Sequence, residues 1–320
     1  MHASTYDPEA DLRKVPPFID SHMHFPLQGR PSSLSDLEAI RNQYLRFGVF
    51  AANDMGDKFG TGFLARSLLK EDLVVRTAGY ALFKKGTYGI FLGRGLEGKE
   101  EIKSAVRRLA ETGADFVKAI NSGIVSVSGG RLVTKGGFSK EELRVLCEES
   151  AARDLKVACH ANSDCAIRDA VLAGVSSIEH GFFVSKETLH MMAEMKVPWT
   201  PTAFALLRLS ASLPAGQKAY VGHVVEEHLE SIRFASEAGV KLRIGTDSGA
   251  KGSDYGRHFV EELRLFRKAG LSRDQILSAA CMAEEEIDKG NYLLVKGDFI
   301  DTGVVSCSKK PAAAEEDKRR

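Results

Sequence analysis

Along this chain, short apolar runs alternate with longer stretches whose apolar residues recur at helical spacing. One joint recurs: a helical stretch ends at a glycine and a β-prone run follows at once. It reads Arg46-Phe47-Gly48-Val49-Phe50, then Glu111-Thr112-Gly113-Ala114-Asp115-Phe116, Leu172-Ala173-Gly174-Val175 and Glu237-Ala238-Gly239-Val240. Glycine closes a helix in the left-handed conformation, so this is the αβ joint of a repeating βα unit. The pattern predicts eight strands, near Phe18–Asp20, Val49–Asn53, Val74–Gly79, Phe116–Ile120, Val157–His160, Ser177–His180, Val197–Thr200 and Lys241–Asp247. Helices are expected between them, including Glu100–Leu109, Lys140–Arg153, Cys165–Leu172 and Val224–Ala238. Capping boxes at Ser35-x-x-Glu38, Ser139-x-x-Glu142 and Ser272-x-x-Gln275 mark helix starts, the last helix running to about Glu286.

Eight strands alternating with helices over Phe18 to Gly270 match the length of an α/β chain folded as a (β/α)8 TIM barrel. The rival, a doubly wound open sheet, usually carries a glycine-rich phosphate loop after its first strand. Here that position reads Ser21-His22-Met23-His24. Residues 1–15 read as an N-terminal arm, 16–287 as the barrel, 288–307 as a short β segment, and 308–320 as a disordered tail without periodicity.

Composition narrows the function. Of 320 residues, 43% are hydrophobic and 27% charged, and the net charge of +1 gives no electrostatic case for nucleic acid or a membrane surface. No apolar run approaches the ~20 residues that span a bilayer, and the first residues lack a signal-type apolar segment. The five cysteines are odd in number and form no CxxC pair, which suits reduced thiols in the cytoplasm. The expected partner is a small-molecule substrate.

Polar residues gather at the C-terminal strand ends, the face on which barrel enzymes place their sites. His22 and His24 are two apart on one strand and should face one way, with Asp20. Lys118 interrupts the apolar run Phe116–Ile120. His160, His180 and Asp247 end the fifth, sixth and eighth strands. A lone histidine is more often a satisfied core residue than a ligand, and Asp247 alone could cap a loop. Joint innocence of all five strand ends is a much harder reading. His22, His24 and Asp247 can surround one divalent metal, and His160 with His180 a second. A lysine ammonium would repel both. A neutral Lys118 amine could instead add carbon dioxide and become a bridging carbamate. Water held there would lose its proton readily, and Asp247 could pass that proton to a leaving amine. Lys118 could alternatively form a Schiff base with a carbonyl substrate, or the barrel could bind metal without turnover.

This pattern resembles the amidohydrolase superfamily. Asp115-Phe116-Val117-Lys118, the stretch from His160-Ala161 through Ser177-Ile178-Glu179-His180-Gly181, Gly245-Thr246-Asp247-Ser248-Gly249 and Glu261-Glu262-Leu263 resemble its imidazolonepropionase and Xaa-Pro dipeptidase branch. The resemblance implies a barrel holding one or two divalent ions, usually Zn2+. His22, His24, Lys118 (N-carboxylated), His160, His180 and Asp247 would be ligands, Asp247 and Lys118 would be catalytic, and a carbon–nitrogen bond would be hydrolysed. Relatives often read His-Ala-His after strand five, where this chain has Asn162. They also carry a flanking β-sandwich that is largely missing here, so a second copy of the chain or a repacked edge should cover the surface left open. Candidate substrate contacts are Tyr88 and Arg94, with Lys84 and Lys85, in the loop after strand three. Asn162, Phe182, Phe183, Thr200 and Thr202 join them near the mouth, with Arg257 and His258 beyond strand eight.

Overall fold

The computed structural model describes residues 6–7, 12–283, 292–296, 299–302 and 304–308. Two short strands, β1 (Tyr6–Asp7) and β2 (Leu12–Val15), precede β3 (Phe18–Met23). Helix and strand then alternate through α1 (Leu34–Arg46), β4 (Val49–Asp54), α2 (Thr61–Leu69), β5 (Val74–Thr77), β6 (Ala81–Lys84), β7 (Gly93–Leu96), α3 (Lys99–Glu111), β8 (Phe116–Ile120), α4 (Lys140–Ala151), β9 (Lys156–Ala161), α5 (Asp164–Ala173), β10 (Ser177–His180), α6 (Lys186–Glu194) and β11 (Trp199–Thr200). After β11 come α7 (Ala203–Ser210), α8 (Ala215–Glu237), α9 (Tyr255–Lys268) and α10 (Arg273–Ala280). The chain continues through β12 (Tyr292–Lys296), α11 (Phe299–Thr302) and β13 (Val304–Ser308). The glycine joints behave as the sequence predicts: Gly48, Gly113, Gly174 and Gly239 all have positive φ.

The strands pair in parallel as β3-β4-β5 and as β11-β10-β9-β8-β6-β7. Hydrogen bonds join the two sets into the ring of a (β/α)8 barrel. On one side the third barrel strand is split in two. β5 stays on β4, Asp115 N donates to Thr77 O at 2.9 Å, and β6 resumes against β8 with Leu82 opposite Ala119. The break falls at Gly79 (φ +68°), where a Cβ would stand 2.4 Å from the Phe63 ring. On the other side residues 241–247 close the ring. Trp199 N donates to Lys241 O and Arg243 N to Trp199 O, while Ser21 N donates to Ile244 O and Thr246 N to His22 O. The sequence expectation of a regular eighth strand is corrected here to a bridging segment. Its ladder is irregular: Thr246 N is shared between His22 O and the Asp20 carboxylate (3.0 Å each), which also accepts from Thr246 Oγ1 at 2.7 Å.

Other expectations shift at their edges. α1 is capped by Ser33 with Asp36, not by Ser35 with Glu38, because the Asp36 carboxylate reaches back to Ser33 N at 2.8 Å. α4 and α10 carry the predicted boxes, Ser139 with Glu142 and Ser272 with Gln275. α10 stops at Ala280 because Cys281 turns extended, bridges Phe18, and is followed by Met282 N donating to Pro17 O. Residues 284–286 of the expected helix, and the tail beyond Ser308, lie outside the described residues. The N-terminal arm is more than an arm: β1 and β2 form one antiparallel sheet in the order β1-β2-β12-β13. Leu293 and Val295 are buried there, and Phe299 lies 6.1 Å from Phe18, which starts β3. Among the described residues the flanking β unit is this single sheet.

Trp199 is packed tightly into the closure. It is 1% exposed, its Nε1 donates to His180 O at 2.9 Å, and a Cβ on Gly181 (φ +72°) would stand 2.4 Å from Nε1. Gly181→Ala therefore combines backbone strain with overpacking and should cost about 2–4 kcal/mol. A thermal melt followed by circular dichroism should show a clear fall in Tm.

Candidate metal centre

The barrel brings together the residues that the sequence singled out at the strand ends. His22 Nε2 and His24 Nε2 lie 3.4 and 3.5 Å from Asp247 Oδ1, and one ligand atom from each of these three residues falls within 4.8 Å of the others. The His180 ring is 4.7 Å from that of His22 and 4.5 Å from that of His160. Lys118 is 1% exposed; the charges of Lys118 and Asp247 both act on His22, His24 and His160, and that of Lys118 acts on His180 as well.

Strand register explains how each side chain arrives. Paired residues of a parallel sheet share a face. His160 is paired with Ile120 and Glu179, and Lys118 and Ser177 both with Ala158. Lys118, His160 and Glu179 therefore share the inward face, and His180 falls on the other. His180 reaches the centre through a left-handed backbone, φ +67°. Thr202 (φ +50°) and Asp247 (φ +48°) end their segments in the same region. Such backbone is strained for residues other than glycine, and strain of this kind concentrates at functional sites. On β3, His22 and His24 turn to one centre as expected, but Asp20 does not join them, and the expectation is corrected for that residue. An irregularity between Asp20 and Met23 breaks the alternation. The Asp20 carboxylate instead accepts from Tyr44 Oη (2.7 Å) and from Thr246, tying α1 to the eighth segment.

Each imidazole is fixed by one ring nitrogen, leaving the other for an ion. His22 Nδ1 meets Glu179 Oε2 at 2.7 Å, and Ser177 Oγ steadies that carboxylate at 2.6 Å. His24 Nδ1 meets Gly56 O at 2.8 Å, His160 Nε2 meets Gly123 O at 3.0 Å, and His180 Nδ1 meets Thr202 Oγ1 at 2.7 Å. Glu262 in turn accepts from Ala203 N (2.8 Å) and Phe204 N (2.7 Å), pinning the turn that carries Thr202. These partners orient ligands and set their tautomers. Glu179 and Glu262 escape sequence reasoning as site residues. Glu179 could have been found as an acid in a fully buried strand; Glu262 meets its partners 58 and 59 residues away and leaves no local signal.

The electrostatics fit an ion. His22 Nε2 and Lys118 Nζ are buried without a hydrogen-bond partner, an expensive state unless something else engages them. Burial lowers the Lys118 amine below its ordinary value. Burial likewise holds His24 at about 4 and His160 at about 3, and His180 well below the usual range. Burial and Lys118 also pull His22 down, but Asp247 and Glu179 reverse the effect and leave it raised. Asp247 is held near 2: burial opposes ionisation, yet His22, His24 and Lys118 outweigh it. Imidazoles kept neutral at His24, His160 and His180 beside an ionised carboxylate belong to the donor set that zinc and similar ions take.

The expected substrate contacts divide. Tyr88 is at the centre, its ring 5.5 Å from that of His160 and its hydroxyl raised in pKa by burial and the Asp247 charge. Asn162 lines the same end, but its amide is committed to Gly123 O and Phe182 N. Thr202 supports His180 rather than standing free for substrate. Phe182 is packing: its ring stacks on His228 of α8 at 4.0 Å. Arg94 is elsewhere, 4.6 Å over the Tyr80 ring in a surface cavity beside Glu101 and Arg108 of α3. β7, which the sequence did not reveal, carries it there. Lys84 pairs with Glu142 and Lys85 with Glu97. His258 supports Ser248, next to Asp247, at 2.9 Å, and Arg257 pairs with Asp254. Thr200 Oγ1 is buried without a partner.

Comparison with known proteins bears on the family and the fold. A profile described as the amidohydrolase family matches residues 14–283. An ochratoxinase of Aspergillus niger is 30% identical over 195 residues, covering 57% of this chain and 40% of that protein. The chain thus matches less than half the length of that relative. An uncharacterized protein of Mycobacterium tuberculosis is 26% identical over 276 residues, covering 83% of this chain and 72% of the other. A crystal structure of a Xaa-Pro dipeptidase with methionine bound superposes with a TM-score of 0.76 at 21% identity, over 93% of this chain and 86% of that one.

Two outcomes follow from the ligand supports. Glu179→Gln should weaken metal affinity about 10–100-fold, read by competition with a chromogenic chelator. In metal-free protein, His24 and His160 titrate below the unfolded histidine value of 6.5. The unfolded chain therefore binds more protons between pH 6.5 and 4, so their contribution is full above pH 6.5 and is lost as pH falls. The fall in Tm of the metal-free protein over that window should be smaller in His160→Gln than in the wild type; an equal fall contradicts the assignment.

Proposed function

The chain belongs to the amidohydrolase family, and we propose that it hydrolyses an amide or peptide-like carbon–nitrogen bond in a small substrate. A dipeptide, an N-acyl amino acid or a cyclic amide fits this reading, and the Xaa-Pro dipeptidase and ochratoxinase among the similar proteins support it. The observation that carries it is the meeting of His22, His24, Asp247, His160 and His180 around the unpartnered Lys118 amine.

The five side chains would hold one or two divalent ions, zinc being the best match to their donors. Such an ion, when bound, polarises a carbonyl and lowers the pKa of water toward neutrality. The chain supplies the rest. Burial keeps the Lys118 amine low in pKa and hence nucleophilic. Its nitrogen can form a bond to carbon dioxide and release one proton, becoming a carbamate. That anion would ligate where an ammonium would repel. Asp247, 29% exposed while His22 is fully buried, faces the open end of the centre. Its carboxylate would take a proton from the attacking water and return it to the leaving amine nitrogen. The Tyr88 ring covers His160 and limits water on that side.

The same amine suits a Schiff-base reading, because it too needs a neutral buried lysine. Lys118→Ala separates the two. For the hydrolase, activity falls by at least about 100-fold, and short-chain carboxylic acids restore part of it by replacing the carbamate. A chelator abolishes wild-type turnover and zinc returns it. Trapping of substrate on Lys118 by borohydride, with activity indifferent to chelator, would instead establish the Schiff base.

A further inference from the structure

The connection from β11 carries one helix more than a βα unit requires. α8 returns the chain to Val240 and the closing segment, so α7 stays at the C-terminal strand ends, beside the metal centre. Its start is fixed there: Thr202, the residue before it, meets His180 Nδ1 at 2.7 Å, and Glu262 of α9 accepts from Ala203 N and Phe204 N. Phe204 and Arg208 are four apart and share a side of α7. The Phe204 ring lies 5.3 Å from that of His258, whose Nδ1 is 2.9 Å from Ser248 Oγ, and Ser248 follows Asp247. Side chains on a helix tilt toward its N-terminus, so Arg208, about 7–8 Å along the axis from Ala203, leans back toward the centre. Its charge acts on His258 and on Tyr255, whose Oη donates to His24 O at 3.0 Å.

Arg208 is half-buried, yet no carboxylate or carbonyl among the described residues meets its guanidinium. Each of its side-chain nitrogens keeps accessible surface, unlike Lys118 Nζ, so a ligand can reach them. Other cations around the mouth are engaged: Lys84 with Glu142, Arg131 with Glu227 and Arg257 with Asp254. A half-buried guanidinium without an anion has lost hydration and gained no partner, and its planar fork fits a carboxylate through two parallel hydrogen bonds. The chemistry places a carboxylate on this side. Asp247 would return a proton to the leaving nitrogen, and in a dipeptide or an N-acyl amino acid a single carbon separates that nitrogen from the carboxylate. We infer that Arg208 receives the carboxylate of the substrate's amino-acid half, so that the centre takes dipeptides and N-acyl amino acids in preference to amides without a carboxylate. This inference rests on the hydrolase reading for its reaction, but carboxylate binding can be tested without turnover.

The probe is 3-(4-fluorobenzoyl)propionate, a ketone shaped like an N-acyl glycine that cannot be hydrolysed. It is compared with the matching primary alcohol by 19F NMR titration of the zinc-loaded protein. Saturable binding of the acid, tighter than that of the alcohol and weakened about tenfold or more in Arg208→Gln, is expected. Arg208→Lys keeps the charge without the fork and should retain part of the preference. An acid that binds the wild type no better than the alcohol overturns the inference. So does an equal preference in wild type and Arg208→Gln, which places the carboxylate on the metal instead. In parallel, the ratio of kcat/KM for N-acyl amino acids to that for N-acyl amines lacking the carboxylate should fall about tenfold in Arg208→Gln, through KM rather than kcat. An unchanged ratio overturns the inference while leaving hydrolysis intact. Arg208-dependent binding of the acid in a protein that cleaves neither substrate set overturns the hydrolase reading and leaves the carboxylate site standing.

Discussion

A lysine sealed in the middle of a barrel with nothing to bond is the constraint on which this structure turns. Lys118 is fully enclosed, lacks a hydrogen-bond partner, and sits among imidazoles that burial keeps uncharged. An isolated buried charge costs several kcal/mol even after relaxation, so the amine is driven toward neutrality. An amine pushed toward neutrality, an ionised Asp247 and neutral imidazoles at His24, His160 and His180 are mutually consistent as a site for cations. They are not consistent as a packed apolar core.

The elements around this centre hold it rather than react. Glu179 and Ser177 fix His22; backbone carbonyls at Gly56 and Gly123 fix His24 and His160; Thr202, held by the turn that Glu262 pins, fixes His180. Several of these partners come from loops after strands rather than from the strands themselves. The left-handed backbone at His180, Thr202 and Asp247 is the conformational strain that goes with this arrangement. Barrel closure through residues 241–247 serves the same end, because the segment that completes the ring also presents Asp247 to His22 and His24.

Much of this was legible in the sequence for physical reasons. Glycine joints are local, so the βα repeat showed itself. His-x-His and a lone lysine in an apolar run conflict with an ordinary core, so they stood out as chemistry. What escaped depends on geometry that no local pattern carries. The sequence places Arg94 in a loop after strand three because it carries no sign of the break at Gly79 or of the extra strand β7. Thr202 looked like a substrate contact because its distance to His180 is set by α9 through Glu262. Ser33 and Ser35 offer overlapping capping boxes, and only the folded chain selects the first. Asp20 shares a sequence alternation with His22 but loses it to an irregular strand.

Diffraction from crystals of zinc-loaded protein, collected on both sides of the zinc absorption edge, tests the central claim most directly. The structure predicts anomalous density bounded by His22, His24 and Asp247, with His160 and His180 facing it and added density on Lys118 Nζ. Absence of any anomalous peak among those residues, with the lysine bare, would contradict it.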